Sequence, residues 1–195
     1  MKSFWHESTN LNHSSRDAHR ATSIIAFGAS VLIVALASLA HVHAVIAPPA
    51  ARKAAPQFTF ADSTGEPIRL SDFKGRVVLL DFWATWCHGR KFEIPWFMEY
   101  EKKYNSKGFT VIGVSMDDGG WNVVKPFIAS KKMNYPVVLN ANDVDKQYRL
   151  SAMPMAVLID KQGRIADSHS GVVDKAKWEA EIKSLLAESN EVSPM

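Results

Sequence analysis

The chain has 195 residues, of which 47% are hydrophobic and 22% charged, so it can form one domain of ordinary size with an additional segment. The formal net charge is only +3, and no block of Lys and Arg alternates with aromatic residues, which argues against nucleic-acid binding. The single cysteine, Cys87, excludes an intramolecular disulfide bond.

An apolar segment without charged residues lies between Arg20 and Arg52. A helix of this length can cross a bilayer core of about 30 Å. We therefore predict a disordered polar N-terminus over residues 1–20 and a transmembrane anchor over residues 21–47. A cleaved signal peptide is the alternative, because Val42-His43-Ala44 is an acceptable cleavage site. A slight excess of basic residues before the segment favours a cytoplasmic N-terminus, which would leave the folded domain on the outer side of the membrane.

After a predicted linker over residues 48–56, the pattern over residues 57–190 is typical of a folded α/β domain. Strands are predicted at 58–60, 68–70, 77–83, 109–116, 136–139, 155–159 and 164–168. Helices are predicted at 87–105, 121–132, 144–149 and 175–187. This order indicates a mixed sheet with helices on its faces.

The sequence predicts that Cys87 begins the helix that follows strand 77–83. In the first turn of a helix, unpaired backbone N–H groups and the positive end of the macrodipole favour the thiolate, which is the reactive form. Arg90 follows one turn later and adds a positive charge, and His88 adds another when protonated. An inert, buried cysteine is the alternative interpretation.

The segment from Leu80 to Pro95 contains Trp83-Ala84-Thr85-Trp86-Cys87, then Arg90-Lys91 and a Glu-x-Pro element. It resembles the active site of thioredoxin-like proteins, and within them the membrane-anchored TlpA/ResA-type thiol–disulfide oxidoreductases. Their pattern is Trp-Cys-x-x-Cys, and Arg90 stands where the second cysteine is expected. Met153-Pro154 resembles the cis-proline loop of the same family. The resemblance implies a thioredoxin-like α/β fold, with a central mixed sheet flanked by helices, and a role in cytochrome c biogenesis at the periplasmic face of the inner membrane.

The resemblance implies that Cys87 attacks a substrate disulfide. Without a second cysteine, release of the mixed disulfide needs an external thiol, either a partner's cysteine or a small molecule such as glutathione. Asp81 and Glu93 are the flanking acids. We expect Arg90 to pair with one of them, because a buried carboxylate without a partner is costly. The alternative is an Arg90 side chain that extends into solvent.

The remaining site residues are expected to contact the substrate: Trp86, His88, Met153 and Pro154. A cis bond before Pro154 would leave the backbone of Met153 available for strand-like pairing with an extended chain. The predicted partners are therefore protein thiols or disulfides, a small-molecule thiol and the membrane. No pattern in the sequence predicts a metal or another cofactor.

Three other functions remain open at this point. The first is a redox-inactive module that binds protein thiols or unfolded clients. The second is a one-cysteine peroxidase, which needs a threonine three residues before the cysteine, where this chain has Ala84, with Thr85 one residue out of place. The third is a Cu(I) site built from the donors Cys87, His88, Met153 and Met155.

Overall fold

The computed structural model describes residues 46–141 and 143–189. The predicted tail over residues 1–20 lies outside the described residues, as does the predicted anchor over residues 21–47 apart from its last two positions. Among the described residues, no helix is both long enough and apolar enough to cross a membrane.

Two sheets form the framework of the described part of the chain. A hairpin consists of β1 (Thr59–Ala61) and β2 (Pro67–Arg69). The larger sheet has the strand order β5-β4-β3-β6-β7. Its strands are β3 (Val77–Trp83), β4 (Phe109–Ser115), β5 (Val137–Leu139), β6 (Met155–Ile159) and β7 (Ile165–Ser170). Strands β3, β4 and β5 are parallel, whereas β6 and β7 are antiparallel to their neighbours, which confirms the predicted mixed sheet.

Four α-helices connect or follow these strands. They are α1 (Arg90–Tyr104), α2 (Trp121–Lys131), α3 (Val144–Gln147) and α4 (Lys175–Ala187). Short 3₁₀ turns lie at Pro49–Ala51, Leu70–Phe73 and Asn105–Lys107. Apart from the start of α1, these bounds agree with the sequence prediction to within about two residues.

Strand β3 is buried along its whole length, as its sequence, apolar except for Asp81, predicts. Because side chains alternate across a strand, its residues contribute to both faces of the sheet. Val77 and Leu79 join an apolar cluster with α1, α2 and α4, whereas Val78 and Leu80 join a second cluster with the β1–β2 hairpin and α3. The carboxyl end of β3, where the chain leaves this core, carries the candidate site.

Residues 47–55 run along the first part of β7. Backbone hydrogen bonds join Ala47 N to Ala166 O at 2.9 Å and Ala55 N to Gly163 O at 2.9 Å. The Arg52 side chain is 1% exposed and lies 3.1 Å from Asp160 and 2.6 Å from Glu188. These hydrogen bonds raise the Arg52 pKa, with the bond to Glu188 as the main cause. Most of the segment predicted as a linker is therefore attached to the domain, by backbone hydrogen bonds and by the ion pairs of Arg52.

Candidate active site

Cys87 lies in a turn between β3 and α1. Its backbone N–H donates to Ala84 O at 3.0 Å, and the helix begins only at Arg90, after Gly89. The prediction that Cys87 belongs to the helix was therefore wrong by three residues. The physical reason is that the Cys87 N–H closes a separate turn and is not a free donor of the first helical turn.

This turn is fixed by Asp117, a residue that the sequence analysis did not select. The Thr85 hydroxyl donates to Asp117 Oδ1 at 2.6 Å, and the Thr85 N–H lies 3.0 Å from Asp117 Oδ2. Ser115 donates to the same Oδ2 at 2.9 Å. The parallel register pairs Trp83 with Ser115, so the residues that follow β3 and β4 are neighbours. The sequence signal for Asp117 is its place two residues after β4, because the register of β3 and β4 brings that position close to the residues after β3.

The cis-proline loop lies beside the same turn. The Met153–Pro154 peptide bond is cis, as expected. A methyl group in place of the Gly89 hydrogen would lie 3.2 Å from Pro154 Cγ and 3.0 Å from Val172 Cγ2. The backbone at Gly89 is therefore packed tightly against this loop, two residues after Cys87. Met153 itself remains partly exposed, so its backbone is near the surface at the site.

A nearly buried thiol is accompanied by exposed apolar side chains. Cys87 is 9% exposed, whereas Trp86 is 61%, Phe92 is 64% and Val172 is 53% exposed. We call these three side chains the apolar rim. His88, the residue after Cys87, is also exposed. Trp86 and Phe92 are close to Cys87 in sequence and Val172 packs against the backbone at Gly89, so these exposed apolar side chains offer a surface that a partner can cover.

The two predicted acids, Asp81 and Glu93, are both completely buried. Asp81 lies within β3, between Gly113 and Ala156 of the neighbouring strands. Glu93 is in the first turn of α1, and its Oε1 accepts a hydrogen bond from Trp178 Nε1 at 3.3 Å.

The Glu93 carboxylate also faces the chain just before α4, since the Val173 N–H lies 3.4 Å from Oε1. Trp178 was not among the site residues that the sequence predicted, so its bond to Glu93 was missed. The Arg90 side chain is not among the described ones, and its pairing with Asp81 or Glu93 stays a prediction.

Comparison with known proteins identifies the family. Residues 51–168 match the AhpC/TSA family. The chain belongs to this family. The thiol-disulfide oxidoreductase ResA of Bacillus thuringiensis subsp. konkukian is 34% identical over 134 residues, which are 68% of this chain and 77% of that protein.

Two solved structures share the architecture of this AhpC/TSA family member. The thioredoxin domain of a thiol-disulfide oxidoreductase from Bacteroides vulgatus is 31% identical, with a TM-score of 0.61, and the match covers 68% of this chain and 96% of that domain. A thiol:disulfide interchange protein of the thioredoxin family from Chlorobium tepidum is 25% identical, with a TM-score of 0.66, and the match covers 72% of this chain and all of that chain. The fold is thus a thioredoxin-like α/β fold with a central mixed sheet flanked by helices, as the resemblance implied.

Proposed function

We propose that this family member carries out thiol–disulfide exchange through Cys87 as its single nucleophile. The observation that carries the proposal is the position of Cys87, in a turn that is held by Asp117 and that packs against the Met153–Pro154 loop at Gly89. The likeness to thiol-disulfide oxidoreductases over two thirds of the chain supports the same chemistry.

The exchange has two steps, each of which makes one S–S bond and breaks another. The Cys87 thiolate attacks one sulfur of a substrate disulfide, forms a mixed disulfide and expels the second sulfur as a thiolate, which takes a proton from water. An external thiolate then attacks the mixed disulfide and releases Cys87 as a thiolate. After this step the substrate sulfur is joined to the external thiol. A second equivalent of that thiol displaces it and so completes the two-electron reduction of the substrate. Glutathione or a partner's cysteine has the chemistry required of this external thiol.

The residues around Cys87 have distinct proposed roles. Arg90 replaces the second cysteine, and its permanent charge, with that of His88 when protonated, favours the Cys87 thiolate. Asp81 and Glu93 are the buried acids behind the turn. Trp86 and Pro154 shape the substrate site, where the Met153 backbone can pair with an extended substrate chain.

We further propose that the domain is tethered at the periplasmic face of the inner membrane by residues 21–47. The support for this proposal is the sequence alone, which has no charged residue between Arg20 and Arg52. Fractionation of cells that express the full chain tests it. Extraction of the protein from membranes by alkaline carbonate, without detergent, would contradict the anchor and favour a cleaved signal peptide.

The reaction is tested by reduction of insulin disulfides by the full chain, with and without glutathione. The expected result is turnover that requires glutathione and that disappears in Cys87→Ser. Pre-reduced Arg90→Cys should reduce insulin disulfides stoichiometrically without any external thiol, because its second thiol releases the mixed disulfide, whereas Arg90→Ser, the matched control, removes the same charge without adding a thiol and should stop at the mixed disulfide. Glutathione-dependent turnover that survives in Cys87→Ser would refute the proposal.

A binding module without redox chemistry is the second candidate, and the exposure of the site favours it. Cys87 is only 9% exposed, whereas all three residues of the apolar rim are more than half exposed. Such a surface can hold an unfolded or thiol-bearing client without attacking it. The two candidates differ in one result: a binding module retains client binding in Cys87→Ser and shows no insulin reduction at any glutathione concentration.

The one-cysteine peroxidase is disfavoured because the hydroxyl of Thr85, the threonine nearest to the required position, is already used in a hydrogen bond. Thr85 Oγ1 donates to Asp117, so this hydroxyl serves to hold the backbone in place. Peroxide-driven formation of a sulfenic acid at Cys87 would restore this alternative.

A further inference from the structure

We propose that Asp167, His169 and Glu181 form a binding site for one divalent transition-metal ion of the zinc class. Asp167 and His169 lie two positions apart on β7, and Glu181 lies on α4. Their candidate ligand atoms all lie within 4.8 Å of one another. The site is separate from the turn that carries Cys87 and does not depend on the thiol chemistry proposed above.

Two carboxylates converge on one nitrogen of the histidine. His169 Nε2 lies 2.8 Å from Glu181 Oε2 and 3.3 Å from Asp167 Oδ2. That nitrogen carries at most one hydrogen, so it can donate one strong hydrogen bond and not two. A metal ion among the three atoms would instead bind all of them, with neutral imidazole and two carboxylates as ligands.

The charges and burial of the cluster also favour a cation. Glu181 is completely buried, and within the described part of the chain its Oε1 accepts no hydrogen bond. The nearest cation is Lys177, whose Nζ is 3.8 Å away and whose side chain is 49% exposed. An imidazolium would balance only one of the two carboxylates. A dication balances both, and so offsets the cost of burying the Glu181 charge, which in the described part of the chain has only the shared imidazole and the half-exposed Lys177 as ion-pair partners.

The donor set and the available space fit zinc. One imidazole with two carboxylates is an acceptable three-ligand zinc set, which leaves a fourth position for water. Tetrahedral zinc places its ligand atoms about 3.3 Å apart, so the closer pair must separate by about 0.5 Å. The side chain of Asp167 is 24% exposed and that of His169 is 10% exposed, so water can reach this side. The Ser168 N–H donates to Asp167 Oδ1 at 2.7 Å, which leaves Oδ2 for the metal.

An ion bound there would stabilise the junction between β7 and α4. The edge of the Trp178 ring packs against His169, with 4.7 Å between ring centroids and an interplanar angle of 88°. Trp178 also donates to Glu93. The metal would therefore hold α4 in place, and with it Trp178, the hydrogen-bond donor to Glu93.

Zinc titration into the full chain by isothermal calorimetry tests the site, with Cys87 alkylated so that the thiol cannot bind the metal. Compared with the parent chain, His169→Gln and Glu181→Gln should each lose one zinc ion per chain. Glu179→Gln, a matched change on the same helix, should lose none. Histidines elsewhere in the sequence are unchanged in every variant, so any zinc that they bind cancels in the comparison.

A second readout is specific to the geometry of the site. Co²⁺ bound to the parent chain should give the visible absorption bands of a low-coordinate site, and these should disappear in His169→Gln. Asp167→Asn serves as the test variant if circular dichroism shows that Glu181→Gln is unfolded. Equal zinc stoichiometry in all variants would refute the proposal. A second result would also refute it: zinc does not raise the melting temperature of the parent chain, while His169→Gln melts at a lower temperature than the parent chain without zinc. That result would identify the cluster as an ion pair only.

Discussion

The hydroxyl of Thr85 donates a hydrogen bond to Asp117 Oδ1 at 2.6 Å and thereby ties the turn before Cys87 to the loop after β4. The two residues are 32 positions apart in sequence and meet because β3 and β4 are parallel neighbours. The position of Cys87 thus depends on a carboxylate from the loop that follows the neighbouring strand, which makes Asp117 a positioning residue for the proposed reaction.

Asp117→Asn should lower the rate of glutathione-dependent insulin reduction, while the protein remains folded under the assay conditions. The amide retains the volume but replaces one acceptor oxygen with a donor, so either the Thr85 hydroxyl or the Ser115 hydroxyl loses its acceptor. The loss of a partly buried hydrogen bond to a carboxylate of this kind costs about 1–3 kcal/mol. Steady-state kinetics and urea unfolding measure the two effects. Asp118→Asn, a change at the exposed neighbouring aspartate, is the control, and an equal loss of turnover there would contradict the role of Asp117.

Trp178→Phe should destabilise the domain by about 1–2 kcal/mol, because the buried Glu93 carboxylate loses the indole N–H donor while the aromatic packing is largely retained. Urea unfolding at neutral pH measures the change. The same substitution at Trp121, a partly buried residue at the start of α2, is the matched control. If Trp178→Phe costs nothing further in a chain that already carries Glu93→Leu, which has no acceptor for the indole N–H, the effect acts through the carboxylate; additive losses would argue for packing alone.

Arg52→Ala should destabilise the domain by about 3 kcal/mol, since it leaves Asp160 buried with one cation fewer. The midpoint of urea unfolding reports the change. Arg69→Ala is the comparison, because Arg69 pairs with Asp72 at the surface, where both side chains are about half exposed. Its expected cost is below about 1 kcal/mol. Similar costs for the two variants would show that residues 47–55 contribute little to the stability of the fold.

Glu179 should make the contact between α1 and α4 sensitive to acid. Hydrogen bonds from Lys103 and Tyr104 lower the pKa of Glu179 from 4.5 to about 2. Since the folded-state pKa is the lower one, the stabilisation is complete above pH 4.5 and is lost as the pH falls towards 2. Unfolding of the parent chain and of Glu179→Gln across about pH 2–7 measures it. The difference in stability should be largest above about pH 5 and should shrink on acidification; a constant difference would contradict the assignment.

Local patterns in the sequence were sufficient for most of the fold. The run at Val77–Trp83, apolar except for Asp81, predicted a strand buried on both faces, and the order of helices and strands predicted the mixed sheet. The motif around Cys87 predicted a junction between a strand and a helix, although not the separate turn that holds Cys87, and Met153-Pro154 predicted the cis-proline loop. Each of these features is encoded within a short stretch of the chain, which is why a single sequence reveals them.

The contacts that the sequence did not predict join distant segments. Trp178 and Glu93 are 85 positions apart, and Arg52 and Asp160 are 108 positions apart. The Ala- and Pro-rich composition around Arg52 suggested a linker, because composition carries no information about a strand edge that forms much later in the chain. The start of α1 was misplaced for a local reason, since the turn at Cys87 and the first helical turn have similar sequence preferences.

The attachment of residues 47–55 to β7 has a consequence for self-association. An outer strand with free N–H and C=O groups is a template for pairing with another molecule, and it promotes aggregation. Here the first part of β7 is occupied by the chain's own backbone, through the bridge between Ala54 and Arg164, and the second part carries Asp167. At the opposite edge, β5 is bridged by Asp62. Each outer strand is thus shielded at least in part, so the protein is expected to remain monodisperse at concentrations at which a bare edge would associate.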